Sequence, residues 1–261
     1  MQVGFVHGVM NTDNISILGL TIDFGPYGWV DNFDPGWTPN TTDAAGRRYC
    51  FGRQPEIARW NLERLEDAIG VLLKDTHLLE SGLRHYDMVY NGEWTRILAG
   101  KFGFNAWQEN DGELINDIFG LMYQAEVDMT IFFRQLAIID IDNPTPETLK
   151  NAFYREDLYN EFHSAFSAWL SSYIERLRQD ARPNAERIVS MHQFNPRYVL
   201  RNYLAQQAID LAESGDNSMI IELLDVMCRP YDEQPGRERY SEKRPDWARH
   251  KAGCSSLSCS S

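Results

Sequence analysis

The chain has 261 residues, of which 43% are hydrophobic and 24% are charged, and this composition is ordinary for a globular protein. A chain of this length can bury a substantial core in one or two domains. Its formal net charge of -13 argues against binding to a nucleic-acid backbone, which requires clustered lysine and arginine.

Signals for membranes and for disulfides are both weak. No stretch approaches the ~20 consecutive apolar residues of a membrane helix, and the first residues do not form a signal peptide. The chain has four cysteines, namely Cys50, Cys228, Cys254 and Cys259. They are too few and too scattered for a disulfide framework. The sequence therefore predicts a soluble protein of a reducing compartment, the cytoplasm, with the mitochondrion as the alternative.

The first segment with clear chemical character is residues 13–23. Its apolar residues predict a short buried strand bounded by turn formers. These apolar residues are Ile15, Ile17, Leu18, Leu20 and Ile22. Such a strand would hold Asn14 and Asp23 at a fixed distance, with Asp13 directly before it. Two oxygen-bearing side chains are then expected to face one small volume.

Asn14 and Asp23 suit a hard divalent cation, Mg²⁺ or alternatively Mn²⁺. Such a cation takes oxygen ligands and is often completed by substrate phosphates rather than by a full protein cage. Asp13 would accept the proton of an incoming hydroxyl group. The alternative is local turn and capping chemistry, for which Asp and Asn are also favoured.

The rest of the chain is predicted to be mostly helical, after an irregular stretch rich in turn formers up to Arg53. Pro55 opens a helix with a core-facing stripe of Leu65, Ala68, Ile69 and Leu72. Further helices are predicted over residues 77–90, 112–127, 146–154, 157–178 and 195–214. Prolines then favour an extended strap over residues 229–249, with a disordered tail as the alternative.

The loop at the start of the chain resembles the catalytic loop of protein kinases. His7 and Asn14 have the seven-residue separation of the kinase His-Arg-Asp-Leu-x-x-x-Asn motif, and Asp-Phe-Gly follows at residues 23–25. Val9 occupies the position of the kinase base. An aliphatic side chain cannot accept a proton, so Asp13 is the nearest substitute.

With its displaced aspartate, the sequence resembles the selenoprotein-O family of kinase-fold protein adenylyltransferases. The resemblance covers essentially the whole chain, and motifs this long and this widely spread are hard to reach by chance. They are HGVMNTDN at residues 7–14, DPG at 34–36, QP at 54–55, WNL at 60–62, NPRYVLRNY at 195–203, PYDEQP at 230–235, PDW at 245–247 and SCSS at 258–261.

The resemblance implies a fold that is mostly α with a small β element, a protein-kinase-like C-lobe lacking the N-lobe. The C-lobe would span residues 1–228, with the catalytic loop at 7–14, an activation-like segment at 26–54 and a helical bundle at 55–228. An extended strap with a Cys/Ser tail would follow at 229–261. The nucleotide-gripping N-lobe is expected upstream of Met1.

For function, the resemblance implies transfer of AMP from ATP to Ser, Thr or Tyr hydroxyls of protein substrates. In such enzymes the residue matching Asp13 accepts the proton, while those matching Asn14 and Asp23 hold Mg²⁺, and Asp23 also contacts ATP. His7 is expected to order the loop. The alternatives are a kinase that transfers the γ-phosphoryl group and a non-catalytic binding fragment without its N-lobe.

The resemblance also concerns the cysteines. Related adenylyltransferases can pair a cysteine near position 39 with one near the C-terminus. Pro39 departs from that pattern, which leaves Cys50 as the substitute. Some members carry a selenocysteine near the C-terminus, and Cys259 would be its sulfur counterpart, whereas the alternative for Cys254 and Cys259 is a flexible tail.

Overall fold

The structure, a computed structural model, describes residues 1–22, 25–73, 77–251 and 253–254. Two predicted positions, Asp23 and Cys259, lie outside the described residues. The two strands are β1 (Phe5–Val6) and β2 (Gly28–Trp29), which pair antiparallel. The eight α-helices of the described residues are α1 (Gln54–Gly70), α2 (His77–Phe102), α3 (Asp111–Gln124), α4 (Met129–Ala137), α5 (Glu156–Gln179), α6 (Asn184–Phe194), α7 (Asn202–Glu213) and α8 (Ser218–Met227).

The prediction of a mostly helical chain with a small β element is confirmed. Helix α2 runs twelve residues beyond the predicted end at residue 90, while the segment predicted as a helix over 146–154 is a 3₁₀ helix at Pro146–Ala152. Helices α4, α6 and α8 were not predicted. Within the described residues, no helix combines the length and the apolar composition that crossing a bilayer requires.

Aromatic side chains of α2, α4 and α5 form the centre of the main core. The indole of Trp169 stacks on the ring of Tyr173 with centroids 5.0 Å apart, and Phe102 meets Phe133 edge-on at 5.3 Å. The Tyr173 hydroxyl donates to the Phe102 carbonyl oxygen at 2.7 Å, so this buried polar group is satisfied. These contacts fix the end of α2 against α5.

A second hydrophobic cluster joins α7, α8 and the segment that follows them. Tyr203 and Leu204 of α7 and Val226 of α8 pack with Tyr240 and Ala248. The segment after α8 is not extended throughout, since it contains 3₁₀ helices at Glu238–Ser241 and Asp246–Arg249. Its buried side chains show that it packs against the helices, unlike a disordered tail.

The helix predicted from residue 195 begins instead at Asn202. The backbone N–H groups of Arg197 and Tyr198 both donate to the carbonyl oxygen of Pro230, at 2.8 and 3.0 Å. Long-range pairing with the segment after α8 thus replaces the local helical bonds. The prediction of a helix start at Asn195 is wrong because a single sequence does not reveal this partner.

The core-facing stripe predicted for α1 is also wrong. The buried residues of α1 are Gln54, Ile57 and Asn61, whereas Leu72 is 82% exposed. The helix therefore turns a mainly polar face towards the loop of residues 7–14 and leaves its apolar stripe near the surface.

Cys50 and Cys254 are buried and carry free thiols.

A buried guanidinium joins distant parts of the chain. Arg201, 1% exposed, donates from Nη1 to Asp31 Oδ1 and to Asp128 Oδ2, both at 2.8 Å. Its Nη2 donates to Asp128 Oδ1 at 3.0 Å. Arg244 lies 3.5 Å from the other oxygen of Asp31, and the Tyr154 hydroxyl donates to Asp128 at 2.6 Å.

Burial and ion pairing oppose each other in this cluster, since burial raises the pKa of Asp31 while Arg201 and Arg244 act to lower it. Burial is the largest single influence on Arg201 and opposes its charge, but Asp128, Tyr154 and Asp31 together outweigh burial and raise the pKa of the guanidinium well above its ordinary value. The cluster connects the end of β2, the start of α4, the start of α7 and the segment after α8. It is the point at which these four segments are fixed together.

Replacing Arg201 with Met should lower the free energy of unfolding by about 3–5 kcal/mol, because two buried carboxylates lose their partner. Urea unfolding followed by circular dichroism measures this loss. Arg155→Met is the matched control: Arg155 pairs with Asp157 at the surface, so its removal should cost no more than about 1 kcal/mol. Equal losses in the two variants would contradict the role given to Arg201.

Candidate functional site

The loop of residues 7–14 follows β1 and ends in a 3₁₀ turn at Thr12–Asn14. Its second residue, Gly8, has a φ of +81°, and a Cβ atom there would lie 2.3 Å from the carbonyl oxygen of Pro26. Only glycine fits such a close approach in the left-handed region. Gly8 therefore lets the loop pass tightly against the segment that leads into β2.

Gln54, the first residue of α1, connects this loop to β1. Its Oε1 accepts the backbone N–H of His7 at 3.0 Å, and its Nε2 donates to the carbonyl oxygen of Phe5 at 2.9 Å. The side chain is 8% exposed, so both bonds are shielded from water. Gln54 thus takes the place of a neighbouring strand along this edge of β1.

Two further amide side chains hold the carbonyl groups of the loop. Asn40 Nδ2 donates to Gly8 O at 3.2 Å, and Asn61 Nδ2 of α1 donates to Met10 O at 2.9 Å. Asn40 and Asn61 are buried. A neutral amide can satisfy buried backbone groups without the cost of burying a charge, so the loop is fixed by hydrogen bonds alone.

Sequence reasoning missed the role of these three amides. Gln54 and Asn61 lie within the QP and WNL motifs, so the resemblance marked their positions without a role. Asn40 had only a turn signal. Since the bonds join residues 32 to 51 positions apart, periodicity along the chain does not reveal them.

His7 orders the loop through its ring, as the sequence predicts. Nε2 lies 2.8 Å from the carbonyl oxygen of Ile22, and Nδ1 lies 3.4 Å from the backbone N–H of Val9. A carbonyl oxygen only accepts, so Nε2 carries the proton and Nδ1 accepts. With both nitrogens in use and the residue only 6% exposed, the imidazole is a positioning group.

Asn14 and Asp13 lie side by side at the end of the loop. Asn14 Nδ2 donates to Val9 O at 3.1 Å, which leaves Oδ1 as the side-chain atom that can face a cation. An amide oxygen of this kind fits Mg²⁺. Asp13 is exposed, so its carboxylate is accessible to a substrate.

The rest of a metal site is not described. Asp23, the second predicted ligand, lies outside the described residues. In the described part of the chain, no group of three or more His, Cys, Asp or Glu residues is placed to hold a metal ion. The structure therefore places His7, Asp13 and Asn14 on one loop, and the pairing of Asn14 with Asp23 stays a prediction.

The buried strand predicted after Asn14 is wrong. The backbone reverses instead: Ile15 and Thr21 form an isolated antiparallel bridge, and Gly19, with a φ of +72°, bonds back to Ser16. The turn formers Ser16 and Gly19 override the apolar pattern. The apolar side chains point outwards, with Ile17 81% and Leu18 78% exposed.

A cavity of about 340 Å³ opens beside this reversal. Its lining includes Asn14 and His7 of the loop, Leu20 of the reversal, and Tyr86 and Tyr90 of α2. The two tyrosine rings are stacked with centroids 6.0 Å apart, and burial raises the pKa of Tyr90 to about 12. The cavity therefore has an uncharged, mainly apolar wall next to Asn14.

Lys101 binds the segment before β1 through its buried ammonium group. Its ammonium donates to Gln2 O at 3.0 Å and to Asn195 Oδ1 at 2.8 Å, and it lies 4.0 Å from the centre of the Phe133 ring. Burial lowers the pKa of this amine from 10.5 to about 7. Lys101 therefore lies in the core, where its positive charge is disfavoured.

The family model described as Protein adenylyltransferase SelO matches residues 1–228. The chain belongs to this family. Similar relatives are proteins named Protein nucleotidyltransferase YdiU, at 64% identity in Methylobacillus flagellatus, 58% in Tolumonas auensis and 56% in Aromatoleum aromaticum. Each match covers 100% of this chain and 50% of the relative, so the chain spans about half the length of these proteins.

Replacing Asn61 with Ala should loosen the loop, because Met10 O loses its side-chain donor. One hydrogen bond contributes about 1 kcal/mol, so amide exchange in a peptide covering residues 5–14 should be roughly fivefold faster. Hydrogen-exchange mass spectrometry measures this rate. Gln124→Ala, which removes an exposed amide of α3, is the control and should leave the peptide unchanged. Unchanged exchange in both variants would show that Asn61 does not hold the loop.

Lys101 should make stability depend on pH. Its pKa is lower in the folded protein than in the unfolded chain, so above pH 7 the unfolded chain binds the extra proton, and stability rises with pH. Between pH 7.5 and 9, the wild type should gain about 1.4 kcal/mol per pH unit relative to Lys101→Met. Urea unfolding at each pH measures the difference, with exposed Lys150→Met as the control. A difference that does not change with pH would contradict the lowered pKa.

Proposed function

We propose that the chain carries part of the active site of a protein adenylyltransferase, which moves AMP from ATP to a Ser, Thr or Tyr hydroxyl group. The observation that carries this proposal is the hydrogen bond of Asn14, whose Nδ2 donates to Val9 O and so leaves Oδ1 for a cation, next to the exposed Asp13. Membership of the SelO family supports the choice of AMP as the transferred group.

In this proposal Asn14 Oδ1 and Asp23 would hold Mg²⁺ or Mn²⁺. The metal supplies neutralisation of phosphate charge when it is bound. Asp13 takes the proton from the acceptor hydroxyl group while the hydroxyl oxygen forms a bond to the α-phosphorus. The bond from the α-phosphorus to the bridging oxygen breaks, and pyrophosphate leaves with that electron pair.

The hydrogen bonds around the loop support this division of roles. His7 and Gln54 use their polar side-chain atoms on the backbone, and Asn61 Nδ2 donates to Met10 O, so we assign these residues to positioning the loop rather than to the reaction. A loop fixed before substrate arrives loses little entropy when the metal and ATP bind. Asp13 is the carboxylate of the loop that reaches solvent, and we assign proton transfer to it for that reason.

We also propose that the fold is a kinase-like C-lobe. The half of the relatives that this chain does not cover would then contain the nucleotide-gripping lobe. Half of the twenty exposed large hydrophobic side chains of the described residues come from positions 17–22 and 71–89. Leu20 and Ile22 of the first group line the same cavity as Tyr86 and Tyr90 of α2. An apolar surface of this kind beside the loop fits a packing partner.

Of the two compartments expected from the sequence, the proposal favours the cytoplasm. The three relatives named above come from bacteria. Three of the four cysteines lie in the described residues, and all three carry free thiols, which suits a reducing compartment.

The test joins this chain to the remaining half of the Methylobacillus flagellatus relative and supplies Mg²⁺ with ATP labelled at either the α or the γ phosphate. We expect α-label on protein hydroxyl groups, at least 100-fold less in Asp13→Asn because general base catalysis contributes 10²–10⁴-fold. Asp117→Asn, which changes an exposed carboxylate of α3, is the control and should keep full activity.

Label from the γ position on the acceptor would show a kinase and defeat the proposal. A wild-type fusion that transfers neither label would defeat it as well. Equal activity of Asp13→Asn and the wild type would leave the reaction standing but remove Asp13 from it.

A further inference from the structure

A second cavity, of about 620 Å³, lies between α7, the start of α8 and the segment after α8. None of the residues 7–14 lines this α7 cavity. It is thus separate from the candidate active site, and an inference about it does not depend on the proposed function. Its volume lies within the range of about 300–1,000 Å³ that is typical of pockets for small molecules.

One wall of the α7 cavity is apolar. It is formed by Leu204 and Leu211 of α7, Met219 of α8 and Pro245. Leu204 belongs to the second hydrophobic cluster and Met219 packs against that cluster, so the wall is supported by the core. An apolar group that covers this wall is removed from water, which favours binding.

Four charged side chains also line the cavity, and two of them are paired with residues outside the lining: Asp210 with Lys251, and Arg239 with Glu222. The other two are Glu242 and Lys243. In the described part of the chain they form no ion pair, either with each other or with a third residue. Two unpaired charges of opposite sign therefore line the same cavity.

Lys243 has hydrogen-bonding capacity to spare. Its ammonium group donates to Phe153 O at 2.7 Å, which uses one of its three N–H groups. Burial lowers the pKa of this amine, although Asp128 and Asp246 act against that shift. A carboxylate bound in the cavity would accept the remaining N–H groups and stabilise the charge.

Tyr203 adds a hydroxyl group that can donate. The residue is 5% exposed and lines the cavity, and its hydroxyl group forms no hydrogen bond with any described residue. The oxygen is not among the unpartnered side-chain atoms that are closed off from solvent, so a molecule in the cavity can reach it. Burial raises the pKa of Tyr203 to about 12, and the charge of Glu242 adds to this rise, which indicates that its carboxylate lies near the hydroxyl group.

We propose that the α7 cavity binds a free α-amino acid with an apolar side chain. Its carboxylate accepts hydrogen bonds from Lys243 and Tyr203, its ammonium group donates to Glu242, and its side chain covers the apolar wall. A ligand with a single charge would leave either Glu242 or Lys243 without a counterion. A zwitterion satisfies both, and it keeps the charge of the site unchanged.

The two unpaired charges allow variants with separate effects. Glu242→Gln removes the acceptor of the ammonium group, so L-phenylalanine and phenylethylamine should bind about tenfold more weakly, while phenylpropionate should not weaken. Lys243→Met removes a donor to the carboxylate, so L-phenylalanine and phenylpropionate should weaken by about the same factor, while phenylethylamine should not. A role of these residues in folding alone would not produce opposite selectivities.

The experiment titrates the full chain by calorimetry with L-phenylalanine, phenylethylamine, phenylpropionate and glycine at constant ionic strength. We expect L-phenylalanine to bind most tightly, because it alone of the four offers both charges and an apolar side chain. Lys150→Met and Glu156→Gln, which change the two members of an exposed surface pair, are the matched controls. Both should bind L-phenylalanine like the wild type.

Three results would overturn the proposal: no binding of L-phenylalanine by the wild type, binding of glycine or of either analogue as tight as that of L-phenylalanine, or binding that Glu242→Gln and Lys243→Met both leave unchanged. Circular dichroism of each variant checks that it is folded. If Lys243→Met does not fold, Glu242→Gln alone decides, because Glu242 is exposed and the substitution keeps the shape of the residue. A folded Glu242→Gln variant that binds L-phenylalanine like the wild type contradicts the proposal.

Discussion

The buried guanidinium of Arg201 is the contact on which the rest of the structure depends. It lies between two carboxylates that are far apart in sequence, Asp31 after β2 and Asp128 before α4. A buried ion pair of this kind adds little stability over an apolar core, but it tolerates only one arrangement of its partners. Next to it, Asn202 exchanges two hydrogen bonds with the backbone of Trp29 and so fixes β2.

β2 also positions the candidate site, through its pairing with β1. β2 pairs with β1, β1 leads into the loop of residues 7–14, and buried amides of Gln54, Asn40 and Asn61 hold that loop. The surface beyond it is different, because apolar side chains such as Leu18 and Leu20 are exposed. One side of the loop is thus supported by the described chain, while the other side is open to a partner or substrate.

Local patterns predicted much of the helical fold, since Pro55 lies in the first turn of α1 and helices were predicted where α2, α3 and α5 lie. The failures have two physical causes, contacts between residues far apart in sequence and a local turn that overrides the apolar pattern. The start of α7 depends on Pro230, the loop depends on Asn61, and the reversal after Asn14 depends on the turn at Gly19. For the site, residue types and spacing indicated Asp13 and Asn14, but their supports are long-range contacts that one sequence does not show.

The most direct test is a crystal structure, with ATP and Mn²⁺, of this chain joined to the remaining half of the Methylobacillus flagellatus relative, in which anomalous scattering locates the metal. We expect a manganese peak about 2.1 Å from Asn14 Oδ1, the usual oxygen distance of the Mg²⁺ that it replaces. Asn14 Nδ2 should still bond to Val9 O, and Asp13 should face the α-phosphate without touching the metal. A peak elsewhere, with Asn14 Oδ1 turned away from it, would contradict the account.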